Sequence, residues 1–440
     1  MKDVFVRLGA KINTIWRKYI VNPRSRIIVF VFVFAAMGAL LIFITRASTP
    51  NVSVEVENGQ AIGSVVAVND DITASASGYV AFSPIKLQIK GVVDRDPYNF
   101  NKAVNLQNVD IPANYEQIVN NFVLKIDWSR IQPNSQNDFA TTHIDDAISE
   151  AKAKNMRIKL RVMAGIHAPG WAKQIDGGPF TAYDIDKVTG EVFTGSSPKY
   201  WTINYKNAYD QLMSKLAGRY DSNNTVGSVV NSMCTTIFAE PFIKNLGDVA
   251  PSTGQMPNMT SFYNAGLTDT LDKDCHNNSV DVHAQNWKRT RTETAINPLS
   301  YKGTNSSDEI VEKFDPDFSI AWIERCRQVL GERCIMGNNG FNATSGPAGS
   351  NYRRVIGAII CQGNPPPYFQ SRQWEALQSS GKTLEEVIQY GINVGAGMIE
   401  MPYEYKTTAT TPQKLAPLDT ALESNNAIPC PADRLLPNPL

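Results

Sequence analysis

The chain has 440 residues, 42% of them hydrophobic and 19% charged, with 42 basic side chains balanced by 42 acidic ones. A formal net charge of zero leaves no electrostatic footprint for nucleic acid, and the composition is that of an ordinary globular protein. The six cysteines, Cys234, Cys275, Cys326, Cys334, Cys361 and Cys430, form no CxxC pair and no Cys/His cluster, so no metal site or other cofactor is expected.

The first feature in chain order is Ile27–Ile44, an uncharged apolar run. At about 1.5 Å per residue it nearly spans a hydrocarbon core of about 30 Å. Lys2, Arg7, Lys11, Arg17, Lys18, Arg24 and Arg26 precede it, and only Arg46 closely follows. This asymmetry keeps the N-terminus cytoplasmic and places the remainder outside the cytoplasm. A cleaved leader ending at Ala47-Ser48 is the alternative, but the 26-residue basic segment is long for one. The expected organisation is a basic cytoplasmic segment (1–26), a single-pass membrane anchor (27–44), a linker (45–85), a folded domain (86–415) and a Pro-rich tail (416–440). In an oxidising compartment some cysteines can pair. Cys326 and Cys334 are near enough in sequence, although spacing alone does not fix connectivity and buried free thiols are the alternative.

Within the linker, Val52-Ser-Val-Glu-Val-Glu-Asn-Gly59 and Ala74-Ser-Ala-Ser-Gly-Tyr-Val-Ala-Phe82 stand out. Together they resemble the opening of jelly-roll carbohydrate-binding modules. That fold needs eight strands, so the resemblance implies a remnant strand pair at most.

From residue 86 onward, strand-like runs alternate with amphipathic helices. Strands are expected near Lys86–Val93, at Phe122–Asp127, Arg157–Met163, Val226–Phe238, Thr290–Ile296, Cys334–Met336, Pro367–Gln370 and Gly397–Glu400. Helices are expected over Thr142–Asn155, Asn204–Tyr220, Phe318–Leu330, Asn351–Cys361 and from the capping box Thr383-Leu-Glu-Glu386 to Tyr390. Such alternation predicts a mostly parallel sheet, and eight units fit an α/β (β/α)8 TIM barrel. A doubly wound open sheet is the runner-up, but no GxGxxG turn follows an early strand. Insertions at Gly165–Thr202, with a hairpin around Thr189-Gly190, and at Ile243–Asp274 fall on βα connections, where a barrel builds its active face.

The informative side chains lie at the expected strand ends. Asp127 ends the second strand, Glu240 the fourth, Gln370 the seventh and Glu400 the eighth, while Glu293 lies in the fifth. Paired carboxylates so placed can do general acid/base work. The segment Ala239-Glu240-Pro241 resembles the fourth-strand motif of the (β/α)8 glycoside hydrolases that carry catalytic glutamates after strands four and seven. Asp127-Trp-Ser-Arg-Ile-Gln-Pro133 is similar to their second-strand segments. The resemblance covers about residues 86–410, and its motifs are short. It implies that Glu240 is the acid/base. Cys234–Phe242, of the form CTT-x-x-AEPF, further resembles uncharacterised bacterial glycosidase-like proteins, a likeness from which no function follows.

Two departures qualify this. Ala239 replaces the usual Asn, and Gln370 stands where the nucleophilic Glu would be; an amide cannot act as that nucleophile. Glu400 is the expected substitute partner, at an inverting-type separation. Asp127, His167, Trp171, Glu293 and Gln370 are the expected substrate contacts. Each has a structural alternative: a carboxylate satisfying loop amides, a hydrogen-bonded loop histidine, or an aromatic of the core, as Trp128, Trp201, Phe369 and Tyr403 can also be. His276 and His283 are seven apart, not a usual metal-ligand spacing. No Gly-x-Ser-x-Gly elbow, P-loop or HExxH occurs. The sequence thus predicts a membrane-anchored glycoside hydrolase acting on an extracytoplasmic polysaccharide or other glycan. The alternatives are an inactive barrel that binds surface polysaccharide, or a surface interaction protein.

Overall fold

A computed structural model describes residues 65–69, 78–82, 85–97, 109–185, 192–240, 258–297, 299–304, 310–343, 350–361 and 365–426. The chain divides into two compact units, Met1–Phe82 and Ser83–Leu440. In the first, Val65–Asn69 pairs antiparallel with Gly78–Phe82, in the register Val65↔Phe82 to Asn69↔Gly78. The Val52–Gly59 segment and the apolar run 27–44 lie outside the described residues. Among the described residues no helix is long and apolar enough to cross a membrane.

The second unit is a closed barrel of eight parallel strands. They are β1 Gly91–Asp94, β2 Asn121–Asp127, β3 Arg157–Met163, β4 Val226–Val230, β5 Arg291–Ala295, β6 Cys334–Phe341, β7 Tyr368–Ser371 and β8 Met398–Met401. Closure is made where β8 pairs with β1, from Met398↔Gly91 to Met401↔Asp94. The outer helices are α1 Thr142–Ala153, α2 Ile203–Tyr220, α3 Asp269–Asn286, α4 Pro316–Leu330, α5 Asn351–Ile360, α6 Leu384–Asn393 and α7 Pro412–Ser424. Every expected strand therefore has its counterpart in the barrel.

Local chemistry explains the bounds. The α6 capping box forms in both directions: the Thr383 hydroxyl accepts from Glu386 N–H, and the Glu386 carboxylate accepts from Thr383 N–H. Asp315 caps α4 by accepting from Phe318 N–H, with Pro316 in the first turn. Alternate residues of each strand face the helix layer and the barrel interior. Ile89, Val93, Val123, Ala295, Ile335, Tyr368 and Met398 form a small buried cluster apart from the main core. Gly337 is required there, because a Cβ on it would stand 2.3 Å from the Tyr368 ring.

Three elements differ from the sequence reading. The fourth strand stops at Val230 and does not continue to Phe238. Asn231 N–H still bonds to Glu293 O of β5 at 2.9 Å, but beyond it side chains take over: Thr235 Oγ1 donates to Ser232 O at 2.7 Å, and the Asn231 side chain accepts from Met233 N–H at 3.4 Å. Helix α3 begins inside the expected 243–274 insertion. Its polar sequence hides the apolar period, and it packs through Cys275, His276, Ser279, Val280 and His283. The domain boundary expected at 415 falls within α7, which begins at Pro412 and buries Leu415, Asp419 and Leu422. The hairpin after β3 is present as Phe180–Ile185 paired with Val192–Ser197. Leu299–Thr304 and Ile310–Asp315 form a second hairpin after β5.

Disulfides join Cys326 to Cys334, with Cα atoms 5.8 Å apart, and Cys234 to Cys275, at 6.0 Å. Cys361 is disulfide-bonded as well. The Cys234–Cys275 bond ties the loop after β4 to α3.

Candidate active site

Three strands contribute charges that meet inside the barrel. Lys159 of β3 pairs with Glu293 of β5 and lies 2.5 Å from Glu400 Oε1 of β8. Arg161, two residues along β3 on the same face, donates from Nη2 to both oxygens of Glu400 at 2.7 Å. Its Nη1 donates to Gln370 Oε1 at 3.2 Å. The side chains of Lys159, Glu293 and Glu400 are 0% exposed, and that of Arg161 is 5% exposed. The ammonium of Lys159 also stands 3.4 Å over the Tyr368 ring. Burial alone would raise the Glu400 carboxyl, but Arg161 and Lys159 outweigh it and hold it at about 2. Burial, then the charges of Glu400 and Glu293, drive the Tyr368 phenol well above its ordinary range.

This cluster bears directly on Glu400 and Glu293. Both carboxylates are sealed from solvent and neutralised by cations, so no oxygen of either is open to a substrate. In this structure the Glu400 carboxylate is closed to solvent and faces Arg161 and Lys159 rather than a free surface. Gln370, beside Glu400 in the β7–β8 register, is only half-buried, with its amide oriented by Arg161 and directed to Asn339 O at 3.4 Å.

Around the C-terminal ends of β1 and β2 lies a second charged group. Asp96 sits 2.5 Å from Lys125 and 3.2 Å from Arg95. Burial would raise Asp96, yet Lys125 and Arg95 hold it at about 2. Asp94 is buried, within 3.0 Å of Lys406 Nζ and accepting from the Tyr405 hydroxyl at 3.0 Å.

The more accessible groups stand on the loops. Asp127 ends β2, and its Oδ1 is 3.1 Å from His167 Nδ1; these side chains are 38% and 33% exposed. His167 closes the turn Gly165–His167, which leans on the loop after β4 through a bond from Ile166 N–H to Thr236 O of 2.8 Å. Gly165 makes this approach possible: its φ is +58°, and a Cβ there would lie 1.9 Å from Thr236 O. Glu240 is half-buried on that same β4 loop, past the strand end where the sequence reading put it. Burial raises both the Tyr368 and Tyr352 phenols, and the Glu240 charge is the smallest of the named influences on each.

The aromatic candidates are mostly core. Trp128 and Phe369 are 0% exposed and Trp201 4%. Trp171 is partly buried, edge-on to Trp128 at 5.7 Å, and its indole N–H donates to Gln132 O at 2.8 Å. His276 packs on Trp322 with ring centroids 4.8 Å apart, and burial pushes His283 down to about 3, so both serve α3 packing. Among the described residues no group of three or more His, Cys, Asp or Glu side chains is placed to hold a metal ion. A shallow concavity of about 600 Å³ beside the β3 hairpin is lined by Phe180, Tyr183, Lys199, Ser261 and Asn264, among others, and by none of the candidate residues.

Sequence reasoning did not find the basic partners. Lys159 and Arg161 alternate on β3 and so face inward together, but nothing in the sequence pairs them with Glu293 and Glu400.

No protein-family model matches this sequence, and no curated protein matches it. Among solved structures the chain is similar to the catalytic domain of a beta-amylase from Paenibacillus polymyxa, with 10% identity, a TM-score of 0.47, and coverage of 76% of this chain and 98% of that one. It is also similar to an endoglucanase from Pseudomonas stutzeri in complex with cellobiose (12% identity, TM-score 0.42, 79% of this chain and 97% of that one). A third is the endo-glycoceramidase II from Rhodococcus sp. as its lactosyl-enzyme intermediate (13% identity, TM-score 0.42, 79% and 80%). The (β/α)8 architecture of this chain rests on its own strand register.

Proposed function

We propose that this protein is a membrane-anchored enzyme that hydrolyses an extracytoplasmic glycan at the C-terminal mouth of its barrel, with Glu240 as the general acid. The carrying observation is a half-buried glutamate on the β4 loop, past the end of the strand. The exposed faces of Gln370, Trp171, Asp127 and His167 supply contacts for sugar hydroxyls and ring faces. Glu400 and Glu293 hold the barrel interior. The basic flank before residues 27–44 and the disulfides support placement outside the cytoplasm.

A second reading, a barrel that binds polysaccharide without cleaving it, is favoured by Gln370 at the end of β7 and by the burial of Glu400. One experiment separates them. The full chain in detergent is incubated with polysaccharides and 4-nitrophenyl glycosides, and reducing ends or nitrophenol are measured beside Glu240→Gln. Hydrolysis of an oligosaccharide by the parent and its loss in the variant support the enzyme. Glycan retention without release by either protein supports the binding barrel.

A further inference from the structure

We infer that His167, positioned by Asp127, is the general base that activates water in the hydrolysis proposed above, an assignment that rests on that reading. Asp127 occupies the N-cap of the short helix Trp128–Ile131, where an aspartate ordinarily accepts from a backbone amide. Its side chain makes no such bond and is turned to His167 at 3.1 Å. A carboxylate on Nδ1 fixes the tautomer with the proton on that nitrogen and leaves Nε2 as the acceptor. Both side chains are about one-third exposed, whereas Glu293, Glu400 and Asp94 are sealed and Asp96 is bound to two cations.

The turn that carries the imidazole is also held in place. The backbone N–H of His167 donates to Ala164 O at 3.0 Å, and Lys173 Nζ donates to Ile166 O at 2.6 Å. Lys173 is the further cation that senses the Asp127 charge. The bond from Ile166 to Thr236 couples this turn to the loop that carries Glu240, so base and acid ride on two joined loops.

The step balances as a single displacement. The water oxygen forms a bond to the anomeric carbon as the bond from that carbon to the leaving oxygen breaks. The water proton passes to His167 Nε2, and the Glu240 carboxyl proton passes to the leaving oxygen. Asp127 stabilises the imidazolium. With no covalent sugar–enzyme bond, the anomeric configuration inverts.

The test uses the full chain in detergent with 4-nitrophenyl glycosides, whose leaving group needs little acid assistance. His167→Gln should lower kcat about 10²–10⁴-fold with KM nearly unchanged. Added imidazole should restore part of the rate in His167→Ala. Asp127→Asn should lower kcat with KM nearly unchanged, because it removes the group that orients the imidazole. Thermal melts of each variant confirm folding. If the parent hydrolyses substrate and His167→Gln matches it, or if His167→Ala is slow but imidazole does not restore it, the base assignment falls and the enzyme reading stands. If the parent cleaves nothing in the panel, both fall.

Discussion

Replacing Glu400 by Gln isolates what its carboxylate does. The substitution keeps the side-chain shape but removes the charge that faces Arg161 and Lys159 inside the barrel. Glu400 is held at about 2 against an ordinary 4.5. A depression of that size corresponds to about 3 kcal/mol of stability at neutral pH, to order of magnitude. Breaking a buried ion pair by removing one partner independently suggests about 3–5 kcal/mol. A folded unit of this size unfolds with an entropy near 0.75 kcal/mol per kelvin, so the melting temperature should drop by about 4–7 °C. The pH dependence has a definite sign. The folded-state pKa lies below the unfolded one, so the stabilisation is present above about 4.5 and is lost as pH falls toward about 2. Denaturant titrations of parent and Glu400→Gln at several pH values, without reductant, should therefore converge as the solution is acidified. Equal midpoints at neutral pH, combined with loss of glycan hydrolysis in the variant, would refute a structural role for Glu400 and return it to the catalytic pair.

Three other outcomes follow from the same structure. Asp419 of α7 is pushed up to about 7, chiefly by burial, although its Oδ1 accepts from Val92 N–H at 2.7 Å. Its folded pKa exceeds the unfolded one, so stability should fall as pH rises from about 4 to 7, and Asp419→Asn should flatten that slope in melts across the range. Cys234→Ser opens the disulfide to Cys275, which spans 41 residues, and should cost about 4 kcal/mol in denaturant titrations by the loop-entropy estimate. Gly165→Ala places a methyl against Thr236 O at a φ of +58°, so it should destabilise by about 2 kcal/mol or more and slow any hydrolysis that depends on His167.

The alternation of apolar runs with amphipathic helices was enough to anticipate eight strands and their order. A local signal such as the Thr383 capping box carries its own physics, because it is satisfied within a few residues. Helix α3 and the end of β4 were harder to read. The first is polar over most of its length, and the second depends on how Asn231 and Thr235 use their side chains. Asp127 and His167 were recognisable as polar groups after strands, and the structure joins them. The apolar run 27–44 and the basic residues before it are a property of the sequence itself, since partition into a bilayer depends on local hydrophobicity and flanking charge.

What the sequence could not decide was which carboxylates are open and which are sealed. Glu240, Glu293 and Glu400 look alike as acidic residues near strand ends. Closing the sheet brings β3, β5 and β8 together across the interior, sets Lys159 and Arg161 against two of the three, and leaves Glu240 on a loop outside. The energy of a charge depends on its solvent and on its partners from distant strands, and both exist only once the barrel has closed.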